Sequence, residues 1–325
     1  MRQIQFRQPG QAEDVIFCGQ APEPAAAAAD DVVVRVEAFP VNPADLLTLR
    51  GIYPRNDPGS PTLGNEAVGT VETVGAEVTQ IVPGDRVIML TVDNWSEKRL
   101  VKASQVVRVS PETDLRQLAG LKVNPATAAL LLTTGGLGPG DWFLQNAATS
   151  TVGRAAIQLA AHKGIRTINV VRHEKAVAEL RALGGDAVVP DGDDLEVRVA
   201  AATAGAPVGL AADCVAGTAT SRLASCLAPR GELVVYGSMS GQRAAVDPAL
   251  LVFRDIRLRG FWLAQHLRRT PYHDIVNLYA EIEDLMRRGL LRTVIDSTFE
   301  ADAIKDAVRR AQAPDTHGKV IVTFG

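Results

Sequence analysis

Cysteine is scarce in this chain of 325 residues: only Cys18, Cys214 and Cys226 occur. Their spacing fits neither a disulfide framework nor a metal-binding pair. A staple-dependent secreted scaffold is thereby disfavoured, and a reducing compartment, the cytoplasm, is expected. Basic excess is lacking as well. The net charge is −3, which leaves no positive field to draw in nucleic acid or anionic lipid. No uninterrupted apolar run reaches membrane-spanning length. Residues 1–7 have no apolar signal-peptide core and read as a strand. Residues 25–29, followed by Asp30 and Asp31, form a low-complexity connection without chemistry of its own. Internal repeats are absent, and so is the G-x-G-x-x-G dinucleotide fingerprint.

What is present is ample material for sizeable cores, with 46% hydrophobic residues, and a length that suggests two domains. Up to about residue 115 the pattern is β-rich. Residues 31–37 alternate, 67–74 are β-branched between glycines, and Pro83-Gly84 turns into a strand. Residues 97–101 and 106–109 add two more, which suggests a barrel-like all-β domain. From residue 115 the rhythm becomes helix alternating with strand. Residues 115–134 read as helical, interrupted around Asn124-Pro125. Strands follow at 142–145, 167–171, 187–189, 210–215, 232–236 and 256–263. The helices between them, 155–161, 173–183, 194–204 and 218–227, imply a doubly wound parallel sheet. Beyond it, helices at 274–288 and 301–311 and strands at 294–299 and 319–324 are expected to return to the first domain.

Residues 141–172 organise this second part. Trp142–Gln145 is a short apolar strand and Asn146 to Gly153 a run of small and polar residues suited to a tight turn. Ala155 to Ala161 form a helix that Gly164 ends, and a β-branched strand follows. Such a βαβ unit aims backbone N–H groups at whatever lies above the turn, and an anion is the natural guest. Only Gly153 of the fingerprint survives. Ala147, Ala148, Thr149 and Ser150 stand where the other glycines would be, still small enough for close backbone approach, with hydroxyls as added donors. A packing turn that binds no nucleotide is the plainer alternative. About 20 residues past the turn an acid would mark NAD and an arginine NADP. The second strand ends in Arg172, either a solvated charge or a 2′-phosphate contact.

A nucleotide domain inserted into a β-barrel is the layout of the medium-chain dehydrogenase/reductase superfamily. The motifs Val41-Asn42-Pro43-Ala44-Asp45, Gly51-Ile52-Tyr53, Gly64-Asn65-Glu66, Val123-Asn124-Pro125-Ala126-Thr127-Ala128, Gln145-Asn146-Ala147, Ile168-Asn169-Val170-Val171-Arg172 and Arg259-Gly260-Phe261-Trp262-Leu263 keep their order over nearly the whole chain. In that register the chain resembles the 2-enoyl thioester reductases of the mitochondrial type. The resemblance implies a GroES-like β-barrel catalytic domain at 1–116 and 264–325, and a Rossmann doubly wound parallel sheet at 117–263.

It also implies a zinc-free enzyme. Gly64-Asn65-Glu66 stands where zinc alcohol dehydrogenases carry Gly-His-Glu, and no cysteine lies between Cys18 and Cys214 to complete a ligand set. Without that Lewis acid, reduction of an activated C=C bond fits better than carbonyl–alcohol chemistry. Hydride from the nicotinamide would reach the β carbon, and the charge developing on the thioester oxygen needs a donor. The family assigns this to the tyrosine of Gly-x-Tyr, here Tyr53, which is otherwise a packed loop residue. By the same resemblance Asn124 lies near the nicotinamide ribose and Thr149, Ser150, Thr151 and Val152 cradle the pyrophosphate. Arg172 holds the 2′-phosphate, and Tyr236, Gly237, Ser238 and Met239 with Phe261, Trp262 and Leu263 line the cofactor. Lys319 closes the site from the last strand. Plainer alternatives are core packing for Phe261 and Trp262, a strand-end charge for Lys319 and a turn residue for Asn124. One departure is Arg172-His173-Glu174, where the family often shows Arg-Asp-Arg. Glu174 would repel a 2′-phosphate unless Lys175 compensates.

The expectation is therefore an NADPH-dependent enoyl thioester reductase acting on enoyl-CoA or enoyl-acyl-carrier-protein. Residues 255–260 form an edge strand expected to pair across a homodimer. The alternatives are a zinc-free quinone oxidoreductase of the same fold and a non-catalytic NADPH-binding protein, which would have no need of Tyr53.

Overall fold

The computed structural model describes residues 1–24, 28–55 and 57–325. Most of the alanine-rich connection at 25–29 lies outside them. In chain order the strands are β1 (Arg2–Phe6), β2 (Ile16–Gln20), β3 (Asp31–Pro40), β4 (Val68–Val74), β5 (Arg86–Met89), β6 (Lys98–Lys102), β7 (Val106–Arg108), β8 (Trp142–Gln145), β9 (Arg166–Val171), β10 (Ala187–Pro190), β11 (Val208–Asp213), β12 (Glu232–Val235), β13 (Arg257–Gly260), β14 (Ile295–Glu300) and β15 (Lys319–Thr323). The chain divides into two compact units, Met1–Val123 with Tyr272–Gly325, and Asn124–Pro271. These boundaries, 123/124 and 271/272, compare with the 116/117 and 263/264 expected from the sequence.

The first unit is built on β3, whose Val32, Val34 and Val36 are buried. A β-branched run of this kind fits a pleated, packed surface. Its seven-stranded sheet runs β14-β15-β3-β4-β5-β7, with β6 also paired to β3. All its pairs are antiparallel except β14 with β15. The core stacks Phe39 on Trp95 at 4.8 Å and sets Phe324 against Phe39 at 5.6 Å. Val320, Val322, Ile304 and Val308 join the same core, so the C-terminal tail returns to the first unit.

The second unit is a six-stranded parallel sheet in the order β10-β9-β8-β11-β12-β13. Numbered from its first strand this is 3-2-1-4-5-6, the doubly wound arrangement whose ligand crevice lies outside the carboxyl ends of the strands where the order reverses, between β8 and β11. The central strands are apolar on both faces, with Phe143, Leu144, Ile168, Ala211, Leu233 and Val234 buried, as a sheet covered by helices requires.

The helical stretch expected over 115–134 is interrupted, at 120–123, and Asn124 and Pro125 open the second helix, Asn124–Thr134, after Leu115–Ala119. Proline is tolerated in a first turn, where its missing N–H has no intrahelical partner. Phe261 to Leu263 are not strand. The partner strand β12 runs out where Val235 pairs with Gly260, so β13 ends there and Leu263 starts the helix Leu263–Arg269. Helices Pro43–Leu49 and Pro248–Arg254 were also unread; two turns are too short for a clear 3.6-residue period.

At the sheet edge all four residues of β13 are exposed. Beside it the helix Pro248–Arg254 leaves Val252 70% and Phe253 83% exposed. No helix among the described residues is long and apolar enough to cross a membrane.

Candidate active site

In the second unit the carboxyl ends of β8 and β11 are tied by one buried carboxylate. Asp213 accepts from Asn146 Nδ2 at 2.6 Å, Thr220 Oγ1 at 2.6 Å and the backbone N–H groups of Val215 and Ala216 at 2.8 and 3.0 Å. Asn146 Oδ1 in turn accepts from the Cys214 N–H at 2.8 Å. The pair thus fixes how the chain leaves both strands at the point where the strand order reverses.

The turn after β8 leads into the helix Thr151–Lys163. Ser150 is its N-cap, accepting from the Gly153 N–H at 3.1 Å. Ala147 takes a positive φ of 47°. Gly153 is indispensable, since a Cβ there would lie 2.6 Å from the Ala148 carbonyl oxygen. Thr149, Ser150, Thr151 and Val152 thus form a close-packed turn around a helix N-terminus with no acid in its first turn. A 13-residue helix carries partial positive charge at that end, and this suits a pyrophosphate.

Tyr236 follows β12 and is brought to the same turn. Its hydroxyl is enclosed beside Cys214 and Ser150, yet meets no hydrogen-bond geometry. Burial pushes its ionisation well above the ordinary phenol value, so it is a neutral donor awaiting an acceptor. Gly237 packs on Cys214, whose Sγ would lie 2.6 Å from a Cβ there. The Met239 N–H is held by the Cys214 carbonyl at 3.0 Å, and Ser238 Oγ reaches the Gln242 carbonyl at 3.4 Å. Arg172 stands exposed just past the end of β9. Glu174 and Lys175 follow in a single 3₁₀ turn, both exposed. Phe261 packs against His266 at 5.8 Å, and the Arg268 guanidinium lies 4.9 Å from the Trp262 ring centre. A dinucleotide therefore fits this turn on three counts: the glycine-dependent close approach, the capped helix end and the orphaned Tyr236 hydroxyl.

In the first unit the motifs converge on a buried charged network. Glu66 is 1% exposed; it accepts from Asn42 Nδ2 at 2.7 Å and the Val123 N–H at 2.8 Å. Lys319 Nζ donates to Asn42 Oδ1 at 2.6 Å. Asp45, fully buried, accepts from the Asn42 N–H at 2.8 Å and from the Asn65 N–H and Nδ2 at 3.0 and 2.7 Å. Lys122 Nζ donates to the carbonyls of Asn65 and Thr91, at 2.5 and 2.7 Å. The Tyr279 hydroxyl donates to the Lys122 carbonyl at 3.0 Å. Burial lifts the Asp45 carboxyl to about 6 and raises Glu66 as well; it lowers Lys122 to about 8 and lowers Lys319. Each ammonium and carboxylate limits the shift of the other. Lys122 and Tyr279 had no part in the sequence reading, and Asp45 entered it only as the last residue of a family motif. The signal that could have placed Asp45 is the helix start Asn42-Pro43-Ala44-Asp45, with Asn before Pro and an acid three residues on.

Tyr53 lies in the irregular stretch after Pro43–Leu49, half-buried, on the wall of an open cavity of about 620 Å³ formed within this unit. Arg55 staples that stretch. Its guanidinium donates to the carbonyls of Pro58, Ser60 and Thr62 at 3.2, 2.6 and 2.9 Å and sits 4.8 Å from the Phe6 ring centre.

These two units define a reductase of the medium-chain dehydrogenase class. The alcohol dehydrogenase GroES-like domain matches residues 28–120 and the zinc-binding dehydrogenase family matches 151–281. The human mitochondrial enoyl-[acyl-carrier-protein] reductase is 34% identical over 310 residues, 93% of this chain and 83% of that protein. The chain belongs to the family of enoyl-[acyl-carrier-protein] reductases of the mitochondrial type. Among solved structures, a putative NADPH:quinone reductase from Bacillus thuringiensis superposes with a TM-score of 0.91 at 29% identity, covering 100% of this chain and 99% of that one. The Etr1p enoyl thioester reductase of Candida tropicalis, in complex with NADP and crotonyl-CoA, superposes at 0.88 with 25% identity over 99% of both chains.

The zinc in one family description does not fit this chain. Two buried ammonium groups already stand among the carboxylates of the first unit, and among the described residues no three His, Cys, Asp or Glu side chains converge.

The network makes a stability prediction. The raised Asp45 carboxyl favours the fold while protonated, and that contribution is lost as pH rises through about 6. Lys319 counters the ionised form of Asp45, and Lys122, held charged by Glu66 and then by Asp45, offsets the ionisation of both carboxyls. Lys122→Met, which also strands two buried carbonyls, should cost about 3 kcal/mol in urea unfolding at pH 7, and less at pH 5. An equal loss at both pH values would remove the electrostatic part of this account.

Proposed function

We propose that this protein reduces the C=C bond of 2-enoyl thioesters with NADPH. Kinship over 93% of the chain with a protein named as an enoyl-[acyl-carrier-protein] reductase carries the reading. Enoyl-CoA and enoyl-acyl-carrier-protein are the substrates proposed. NADPH supplies the hydride when bound, and the chain's own residues orient it. Ser150 with the first helical N–H groups takes the pyrophosphate, the Tyr236 hydroxyl adds a neutral donor, and Arg172 takes the 2′-phosphate. Asn124, Gly237, Ser238, Met239, Phe261, Trp262 and Leu263 complete the cofactor set in the same reading. Lys319, which holds Asn42, closes the site from the last strand in the same reading. Tyr53 donates to the thioester oxygen as negative charge develops there; a neutral phenol suits that role at pH 7. A reducing compartment, the cytoplasm, is proposed on the three free thiols; the relatives' names specify mitochondria.

The test is NADPH oxidation with crotonyl-CoA, a longer enoyl-CoA and a quinone measured side by side. Turnover of the thioesters is expected, and Tyr53→Phe should reduce kcat at least about a hundredfold. Near-normal turnover by that variant would remove Tyr53 from its role. Quinone turnover alone would favour the rival reading, which the likeness to the Bacillus thuringiensis protein supports.

Arg172→Ala should raise KM for NADPH about tenfold, the scale of a lost charged hydrogen bond, and leave KM for NADH nearly unchanged. A native preference for NADH would sink the 2′-phosphate assignment.

A homodimer belongs to the same reading. An edge strand with open hydrogen bonds beside exposed Val252 and Phe253 invites pairing with a second copy. Sedimentation should give a dimer for the unaltered chain and a monomer for Phe253→Asp; a native monomer would reject the idea.

A further inference from the structure

The cavity beside Tyr53 has a wall charge unlike that of the rest of the chain. Arg7 and Arg55 line it, and Arg50 lines a neighbouring cavity of about 590 Å³ that shares Pro9 with it. Among the described lining residues there is no aspartate or glutamate; an acid that the lining does meet, Asp93, engages Arg55 and Ser60 and leaves Arg7 as the uncommitted cation. A cation left uncompensated on a concave wall attracts anions there.

The three guanidinium groups are not equivalent. Arg55 is committed to three backbone carbonyls. Arg50 donates to Gln312 Oε1 at 2.6 Å. Arg7, exposed where the chain leaves β1, rests 5.5 Å from the ring centre of Phe17, which lines the same cavity. A guanidinium lying on an aromatic face keeps its in-plane N–H donors available for a planar or tetrahedral oxyanion.

We propose that Arg7 is the phosphate subsite for the arm of the thioester substrate. The proposal rests on the enoyl thioester reading above. It names the recognised chemistry as the phosphate of a 4′-phosphopantetheine thioester, which coenzyme A and acyl carrier protein share. Tyr53 then serves the reacting end of that arm and Arg7 its anionic end, on the wall of one cavity. Arg7 is thus a specificity residue for phosphorylated carriers over simple thioesters.

The test compares crotonyl-CoA, crotonyl-acyl-carrier-protein, crotonyl-phosphopantetheine and crotonyl-pantetheine, the last without phosphate. Arg7→Ala should raise KM about tenfold for the three phosphorylated substrates and barely alter it for crotonyl-pantetheine; Arg7→Lys should recover part of the loss. A rise for only one carrier identifies that carrier as the source of the phosphate. Equal changes with and without phosphate, or none, would overturn the proposal. Calorimetric binding of phosphopantetheine and pantetheine to the NADP-loaded protein reads the same subsite without turnover. Equal affinities, or affinities that Arg7→Ala leaves unchanged, overturn it. Arg7-dependent phosphopantetheine binding in a protein that reduces no enoyl thioester would overturn the reductase reading alone.

Discussion

A carboxylate with no access to water must find donors inside the protein, and in the first unit Glu66 sets that condition. Its two oxygens draw in the Asn42 amide and the Val123 N–H. Asn42 is held from its other side by Lys319 on the last strand. Four segments distant in sequence are thereby tied at one buried point. The cost of burying such charges is high, and a network is tolerable only when its members are satisfied. Asn42 also precedes the helix Pro43–Leu49, whose Asp45 anchors it from within. The stretch carrying Tyr53 leaves that helix, and Arg55 pins it farther on. The candidate donor is held by a polar core on one side and a guanidinium staple on the other.

The second unit reaches a similar end by other means. The missing fingerprint glycines do not leave its turn loose. Ala147 adopts the positive φ that glycine usually supplies, and Ala148 is fully buried. Gly153 alone is irreplaceable, because the helix packs directly against the Ala148 carbonyl. This separates what the fold demands, one close approach, from what a phosphate demands, backbone N–H groups at a capped helix end. A pattern search treats the two as one.

Much of this was legible in the sequence for a physical reason. The central parallel strands are largely apolar and the helix Thr151–Lys163 is bounded by Ser150 and Gly164, so local preference and fold agree. Where the reading failed, the deciding fact was not local. Phe261 to Leu263 look like strand residues, but the neighbouring strand has already ended. The polar core was hidden more deeply. Lys122 sits in a stretch of ordinary composition, and nothing near it in sequence indicates that its ammonium will lie under the carbonyls of Asn65 and Thr91.

That core also bears on the chemistry. An anionic intermediate can be stabilised by a cation or by a hydrogen-bond donor. The carboxylates of the first unit already share buried ammonium groups, so they have little charge left with which to recruit a divalent ion. In the proposed reaction, stabilisation of a developing oxyanion is assigned instead to a neutral donor held in place and partly shielded from water, where a hydrogen bond is electrostatically stronger than in bulk solvent. A phenol in a half-buried loop meets those conditions. The role proposed for Arg7 is separate from that chemistry, since a charge remote from the reacting bond can orient a substrate without altering the charge at the reacting carbon.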